Sequence, residues 1–555
     1  MFHVRIGAIT TSSPHLNNPN DLFAYTSGRY IYNEKFRLAE RCVEFNVEAL
    51  KIAAARSVGR NHVSRIRKLA EGGFNRAFLL TMDDGFEVVG KIPYHSTVPK
   101  TLTTESEVAT LDFLRANGIP VPRVYAYSSS RDNEVGTEYM IMEKAPASPL
   151  EGRWFDLTPK ERVRLVTSFV DIERKLFSIP FASYGSIYSR DLLTSNMCTT
   201  DLFTKTIESS KMHGGDRFCI GPSADCDFWR GRRAMLDSNR GPWTDHREYI
   251  CSVANRELEW TRKFGRPRCN QFPHNEILAG EISHIGYIDM LEKFMSLSPF
   301  ILPEDRDDPM NKPTLRHPDL NPSNVFITDT GEISCIIDWQ HSSIQPLLVI
   351  AGNPPLFQNP DPEPPAGLEK PSLSADYDSL SASDKIQADE LHRRRMIFWL
   401  YMVFNGKDNE THLEALRYPL LIHRQHAVNR AGRQWNGNTI TLKGALLRLV
   451  QNWDTLVQAG GHLTKIQCPV HFDQKDAEEF YVLEENWFKM NIIVEHWKSL
   501  LDDIGQDGWV RHESYDKVMA LNRELKAEWL AEAQDENERR QVDEYWPFQD
   551  HEEVV

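Results

Sequence analysis

The stretch "LRHPDLNPSNVFITDTGEISCIIDW", residues 315–339, decides the fold class of this chain. Short apolar runs flank a Thr-Gly pair, a pattern that predicts a tight β-hairpin. The hairpin would return Asp338 to the side of Asn324, so that a carboxylate and an amide oxygen share one Mg²⁺ ion. Asp319 would stay on the open side, where it could accept the proton of an attacking hydroxyl group. The alternative is an exposed turn whose Asp and Asn side chains cap backbone groups.

A lysine in an apolar strand is the second sign of a functional site. Lys91 lies in "EVVGKIPY", where a charged side chain needs a partner or a ligand. Glu107 rather than Glu105 is the expected partner, because Glu107 shares an inward helix face with Leu111 and Leu114. The pair would hold Lys91 against the α and β phosphates of a nucleotide. Taken alone, Lys91 could equally be a lysine at a strand edge that extends to water.

Two further positions complete the predicted nucleotide site. The loop containing Gly72, Gly73 and Asn75 lies between the first two predicted strands of the sheet, where a phosphate cover belongs. A Gly-Gly pair is also an ordinary β-turn, and the loop matches neither GxGxxG nor a Walker loop. Glu143 ends the last predicted strand, at a short connection to the helical region, and we expect it to contribute to nucleotide binding.

The order of elements predicts an α+β, bilobal, protein-kinase-like fold. A small antiparallel β lobe with one helix precedes a larger, mainly helical lobe. A proline-rich stretch then interrupts the helical pattern. We therefore expect five regions: an N-terminal extension with a candidate targeting segment (1–45), a nucleotide-binding N-lobe (46–145), a C-lobe with the catalytic loop and metal-binding hairpin (146–352), a proline-rich linker or surface excursion (353–382), and a C-terminal helical part on the acceptor side (383–555).

Composition limits the classes of molecule that this protein is expected to bind. The chain has 555 residues, with 64 basic against 79 acidic side chains and a formal charge of −15, which argues against nucleic acid or an anionic membrane as the main partner. No apolar run is long enough to span a bilayer. Eight scattered cysteines without a CxxC pair indicate free thiols. The expected partner is a small-molecule hydroxyl acceptor. The sequence does not identify protein partners.

These motifs resemble the aminoglycoside phosphotransferase and choline kinase family over about residues 69–347. The resemblance implies a protein-kinase-like fold that uses ATP and Mg²⁺. In that family the aspartate of HxD is the catalytic base, the following asparagine and the later aspartate bind magnesium, and a strand lysine paired with a helix glutamate contacts ATP. Carried over residue by residue, these roles fall on Asp319, Asn324, Asp338, Lys91 and Glu107.

Other segments resemble a fungal group within this class that is named for altered inheritance of mitochondria. They include "LAEGGFNRAFLLTMDDG" and "SEVATLDFLRANGIPVPRVYAYS". This resemblance implies a mitochondrial location; without it, the cytoplasm is the expected compartment. The first 20 residues contain one arginine and no acidic residue, a pattern with a faint similarity to a mitochondrial presequence.

Two functions are compatible with these patterns. The first is an ATP- and Mg²⁺-dependent phosphotransferase that acts on a hydroxyl of a small molecule, with Asp319 as base. The alternative is a non-catalytic pseudokinase or scaffold that binds nucleotide and has a role in mitochondrial inheritance. The complete motif set favours catalysis, since a scaffold has no chemical need for Asp319. A protein kinase is disfavoured, because Trp339 and Gln340 replace the Phe and Gly of a DFG motif and no APE-type element follows.

Overall fold

A computed structural model describes residues 19–191, 197–205, 212–362, 367–462, 466–505 and 507–553. Residues 1–18 lie outside the described residues, and with them the start of the predicted N-terminal extension and its candidate targeting segment. Residues 363–366 of the proline-rich region also lie outside them.

The first lobe is built on a five-stranded antiparallel sheet. Its strand order is β2-β3-β4-β6-β5. One helix lies between β4 and β5 in the chain, as the sequence predicts. The elements up to the end of this lobe are β1 (Gly28–Tyr30), α1 (Glu34–Arg41), α2 (Val47–Ser57), β2 (Val63–Glu71), β3 (Asn75–Met82), β4 (Glu87–Pro93), α3 (Leu102–Ala116), β5 (Val124–Ser128) and β6 (Tyr139–Glu143).

Local sequence explains where the helices of this lobe begin and end. The Asn46 side chain accepts a hydrogen bond from Ala49 N and caps α2. Helix α3 is followed by Gly118 at φ 73°, a left-handed conformation that glycine adopts without steric cost. Between them, β4 places Lys91 opposite Ala77 of β3 and Met140 of β6, in the middle of the sheet. The sheet thus holds the only cationic side chain of "EVVGKIPY" beside α3.

The second lobe begins with a long amphipathic helix. Thr158 and Glu161 form a capping box at its start, with Pro159 in the first helical turn. The elements of this part are β7 (Ser148–Pro149), α4 (Pro159–Ser178), β8 (Ser186–Ser189), β9 (Thr200–Asp201), β10 (Phe218–Gly221), α5 (His246–Phe264), α6 (Ile285–Leu297), β11 (Pro313–Leu315), β12 (Val325–Ile327), β13 (Ile333–Ile336), β14 (Ile344–Pro346) and α7 (Leu347–Ile350).

The predicted hairpin is present as the antiparallel pair β12 and β13. Val325 lies opposite Ile336, and the turn contains Gly331 at φ 90°. Trp339 follows the hairpin, is 1% exposed, and donates a hydrogen bond from its Nε1 to Ile336 O at 3.1 Å. The tryptophan therefore fixes the chain directly after Asp338 against the core.

Helices form most of the described chain after residue 367, and they pack on the second lobe. Tyr401 and Trp435 are fully buried in the same hydrophobic core as α4 and α5. None of the described helices is long and apolar enough to cross a membrane. The elements are α8 (Ala382–Asp408), α9 (Glu410–Leu416), α10 (Leu421–Ala431), α11 (Ile440–Gln451), α12 (Trp453–Ala459), α13 (Gln474–Leu500), β15 (Trp509–Arg511), α14 (Tyr515–Glu532) and α15 (Glu536–Tyr545).

The two ends of the described chain meet. Strand β1 pairs antiparallel with β15, with Arg29 opposite Val510. The Asn33 side chain donates to His551 O at 3.0 Å, so the last described residues also contact the N-terminal segment. All eight cysteines are free thiols, as the sequence predicts. The chain thus has a bilobal α+β fold of the protein-kinase-like class, with its N-terminal segment bound to its C-terminal helices.

Candidate functional site

A cleft of about 1680 Å³ lies between the two lobes. The structure brings all the candidate residues to this one cavity, although they come from distant parts of the sequence. The candidates that line it are Gly72, Gly73, Asn75, Lys91, Glu107, Glu143, Asp319, Asn324 and Asp338.

Lys91 connects the two lobes at the centre of the cleft. Its Nζ donates to Glu107 Oε1 at 2.7 Å and Oε2 at 2.9 Å, which is the ion pair that the face of α3 predicts. It also donates to Asp338 Oδ1 at 2.8 Å. Glu107 is buried on α3, whereas the Asp338 side chain is 43% exposed towards the cleft. One cation of the first lobe is thus bound to the acid that follows the hairpin of the second.

The protonation states in this group follow from burial and charge. Burial alone would lower the pKa of Lys91, but the charges of Asp338 and Glu107 outweigh it and raise that pKa. Partial burial in the cleft would raise the pKa of Asp338, yet the positive charge of Lys91 outweighs this effect and lowers that pKa. Burial raises the pKa of Glu107, with Lys91 opposing. At neutral pH, Lys91 is therefore a cation and Asp338 an anion available to a second cation.

The loop before the hairpin is held by its own hydrogen bonds. Asp319 N donates to His317 Nδ1 at 3.1 Å, so the other ring nitrogen, Nε2, carries the proton and donates to Ile337 O at 2.9 Å. Burial lowers the pKa of His317, in keeping with a neutral ring. The side chain of Asn324 donates from Nδ2 to Asp319 O at 2.8 Å. His317 thus buttresses the loop, as expected for the histidine of an HxD motif.

The oxygen atoms around this loop fit a magnesium ion. The amide nitrogen of Asn324 is used in the bond to Asp319 O, so its oxygen is the atom that can bind a cation. Asp338 uses Oδ1 for Lys91, which leaves Oδ2. One amide oxygen and one carboxylate oxygen, with no sulfur or imidazole, form the donor set that a hard divalent cation prefers.

The loop with the two glycines makes a narrow turn over the cleft. Gly72 N donates to Asn75 O at 2.9 Å. Neither Gly72 nor Gly73 has a positive φ, and a Cβ added at Gly73 would meet no atom within 4 Å. The backbone of this loop therefore does not itself require glycine; the glycines leave open space at the edge of the cleft.

Glu143 takes a different position from the other candidates. Its carboxylate accepts a hydrogen bond from Arg115 Nη1 at 3.3 Å and another from Arg123 N at 3.0 Å. The side chain is thus directed to α3 and β5, although the residue lines the cleft where the lobes join. A nucleotide contact at Glu143 would accordingly come from its main chain.

Sequence reasoning did not find several parts of the cleft wall. Asp225 and Cys226, which follow β10, line it, and so does the segment around β15, including Trp509 and His512. Burial raises the pKa of Asp225 to about 6, with the nearby charge of Asp227 adding to the effect. These residues match no motif, and only the fold brings them to the site.

A buried network connects the loop that bears His317 and Asp319 to the C-terminal helices. Arg316, directly before His317, forms an ion pair with Glu173 of α4 at 2.8 Å and donates to Gly352 O at 2.6 Å. The Tyr401 hydroxyl of α8 donates to the same glutamate at 2.6 Å. His412 of α9 accepts a bond from Gly352 N at 3.4 Å. Helices beyond the proline-rich region thus help to position this loop.

Acidification should weaken this network through His412. Burial lowers the pKa of this fully buried histidine to about 4, with Glu173 opposing and Arg316 adding to the effect. An unfolded histidine has a pKa of about 6.5, so between these values the unfolded chain binds one more proton and acid favours unfolding. We expect wild-type stability to fall about 2 kcal/mol more between pH 7 and pH 5 than that of His412→Asn.

Denaturant titrations at the two pH values measure this difference. The exposed His496 supplies the control, because His496→Asn makes the same change on the surface of α13 and should keep the wild-type pH dependence. Equal pH dependence in wild type and His412→Asn would show that His412 does not carry the effect.

Comparisons with known proteins agree with this architecture. A model of the phosphotransferase enzyme family (APH) matches residues 65–201. A subtelomeric hrmA-associated cluster protein of Aspergillus fumigatus is 30% identical over 521 residues, which cover 88% of this chain and 97% of that protein. Altered inheritance of mitochondria protein 9, mitochondrial, of Yarrowia lipolytica is 28% identical and covers 69% of this chain and 68% of its own.

The chain is also similar, at low identity, to a solved structure. A thermostable mutant of aminoglycoside phosphotransferase APH(4)-Ia, in a ternary complex with AMP-PNP and hygromycin B, covers 74% of this chain and 98% of its own, with 16% identity and a TM-score of 0.33. The lobes and cleft described above define a protein of the protein-kinase-like class. Within that class, the chain belongs to the same family as the Aspergillus fumigatus protein, residues 65–201 match the phosphotransferase enzyme family, and its homologues include proteins named altered inheritance of mitochondria protein 9.

Proposed function

We propose that this protein is an ATP- and Mg²⁺-dependent phosphotransferase that acts on a hydroxyl group of a small molecule. The observation that carries the proposal is the position of Lys91, which binds Glu107 of one lobe and Asp338 of the other at once. Catalysis of phosphoryl transfer consists mainly of positioning and charge stabilisation. The cleft offers a cation from the first lobe, and two oxygen donors and a carboxylate from the second.

Each residue has a role in this reaction. Lys91 binds the phosphates, and Asn324 and Asp338 hold Mg²⁺, which would neutralise charge on the triphosphate. Asp319 accepts the proton of the acceptor hydroxyl as the hydroxyl oxygen bonds to the γ-phosphorus. The bond from that phosphorus to the bridging oxygen breaks, and ADP leaves with the electron pair. His317 keeps the loop that bears Asp319 in place.

The loop residues and Glu143 bind the nucleotide in this proposal. Gly72 and Gly73 leave room for phosphate oxygens, and Asn75 lies at the end of the same loop. Glu143 lines the cleft where the lobes join, and in this proposal its main chain lies against the nucleotide.

A small molecule is a better acceptor than a protein for this cleft. Directly after Trp339, the chain is tied to β8 rather than forming an open platform for a peptide, since Ser186 Oγ donates to Ser342 O at 2.7 Å. Asp225, Cys226 and the segment around β15 also line the cleft. We place the acceptor between Asp319 and these walls.

A screen of hydroxyl-bearing metabolites, followed by ADP release, tests the proposal. We expect at least one acceptor to stimulate ADP release by the wild-type protein in the presence of Mg²⁺. Tight Mg²⁺-dependent nucleotide binding without any stimulated release across sugars, amino alcohols and nucleosides would instead favour the non-catalytic scaffold.

We also propose a mitochondrial location, supported by the names of relatives such as the Yarrowia protein. Imaging of the full chain with a C-terminal fluorescent tag tests it. A diffuse cytoplasmic signal would contradict this location without affecting the proposed chemistry.

A further inference from the structure

Two pairs of side chains connect the phosphate loop to the segment after the metal-binding aspartate. The Asn75 amide of the loop donates to Gln340 Oε1, and the Phe74 ring contacts the His341 ring edge-on with centroids 4.9 Å apart. We propose that Gln340 and His341 are positioning residues that hold the loop 72–75 closed over the nucleotide phosphates. This inference rests on the proposed function, because it assigns a role towards the same nucleotide.

The hydrogen bonds form a chain with one consistent direction. Asn75 Nδ2 donates to the Gln340 oxygen, which places the Gln340 nitrogen beside His341 Nε2 at 3.1 Å. An amide nitrogen only donates, so His341 Nε2 accepts and the proton lies on Nδ1. Nδ1 then donates to Ala224 O at 2.9 Å. We call Asn75, Gln340, His341 and the Ala224 carbonyl the latch.

The far end of the latch is rigid. The Ala224 amide donates to Ser186 Oγ at 2.9 Å, and the hydroxyls of Ser223 and Ser343 lie 3.2 Å apart. All these groups are buried, and they join β8, β10 and the chain after Trp339. The phosphate loop, which is exposed at Gly72 and Gly73, is therefore tied to one of the best-packed parts of the second lobe.

The backbone is strained at two residues of the segment that carries the latch. Asp338 and His341 both have a positive φ, 65° and 63°, a conformation that side chains other than glycine rarely adopt. Such residues persist only where their surroundings hold them, and they cluster at functional sites. The two turns direct Asp338 to Lys91 and the His341 ring to Phe74 of the loop.

A loop that is already closed loses less freedom when a nucleotide binds. The latch thus contributes to the affinity for the triphosphate, while it adds nothing for a ligand that does not reach the loop. Removal of Gln340 breaks two neutral hydrogen bonds, each of which contributes a factor of about 2 to 13 to an equilibrium constant. We therefore expect loss of the latch to weaken triphosphate binding about 5- to 160-fold.

Calorimetric titration of the full chain with AMP-PNP and Mg²⁺, and separately with adenosine, tests the latch. Gln340→Leu keeps the volume of the side chain and removes both bonds. We expect AMP-PNP affinity to fall about 5- to 160-fold and adenosine affinity to stay unchanged. Gln387→Leu, the same change on an exposed face of α8, should bind both ligands as the wild type does.

A double-mutant cycle with Asn75→Ala makes the test specific. Because both changes break the same bond, the effect of Asn75→Ala should be smaller in the Gln340→Leu background than alone. Fully additive effects, or an AMP-PNP affinity of Gln340→Leu equal to or above that of the wild type, would overturn the latch. A wild-type protein that binds no nucleotide would instead refute the proposed function, and the latch with it.

Discussion

Asp319→Asn is expected to lower the rate of phosphoryl transfer about 10²–10⁴-fold while nucleotide affinity stays near that of the wild type. The change removes the carboxylate that accepts the hydroxyl proton but keeps the shape of the side chain. The main-chain N and O of Asp319 bond to His317 and Asn324, so these bonds persist in the variant. An amide oxygen can also still accept the bond that Asn321 Nδ2 donates to Asp319 Oδ2 at 2.9 Å. ADP release with a saturating acceptor measures the rate, and titration with AMP-PNP measures the affinity.

Asp329→Asn is the matched control for this prediction. Asp329 is exposed in the turn of the β12–β13 hairpin, and the same chemical change there should leave the rate unaltered. Turnover that survives in Asp319→Asn would show that another group acts as base. Loss of both turnover and AMP-PNP binding would point to a structural role for Asp319.

Asp338→Asn should have the second large effect. The variant loses the anionic oxygen for Mg²⁺ and one of the two acids that bind Lys91, which leaves Glu107 as the partner of that lysine. Loss of one preorganised charge that faces the reacting phosphate lowers rates about 10²–10³-fold. We therefore expect turnover to fall by about that factor. We also expect that Mg²⁺ no longer enhances AMP-PNP binding. ADP release and paired titrations with Mg²⁺ or EDTA measure the two effects.

A thermal melt separates this effect from unfolding. The Asp338 side chain is 43% exposed, so its neutralisation should change the melting temperature of the free protein little. The loss of Mg²⁺-dependent binding should then occur in a folded protein. If Mg²⁺ enhances AMP-PNP binding to Asp338→Asn as much as to the wild type, the metal site must be elsewhere.

Local patterns were sufficient to predict the central parts of the site. Alternation and turn residues gave the hairpin, and the inward face of α3 distinguished Glu107 from Glu105. The structure agrees with that choice, since Glu107 binds Lys91 whereas Glu105 accepts a bond from Tyr127 of β5 at 3.0 Å. These predictions succeeded because neighbours a few residues apart decide which way a side chain points.

The remaining features depend on contacts between distant segments. Gln340 meets Asn75 across 265 positions, and Tyr401 meets Glu173 across 228. No periodicity or spacing in either partner indicates the other. The pairing of β1 with β15 is of the same kind, and three-residue strands carry almost no pattern of their own. The division of the chain at residues 352 and 382 stays a prediction.

The most direct test of the central claim, that the interlobe cleft binds Mg²⁺ and ATP together, is a calorimetric titration of the wild-type chain with AMP-PNP, in Mg²⁺ and in EDTA. We predict one site per chain, with affinity that is clearly higher in Mg²⁺. Absence of binding in both conditions, or equal affinity with and without Mg²⁺, would contradict the account.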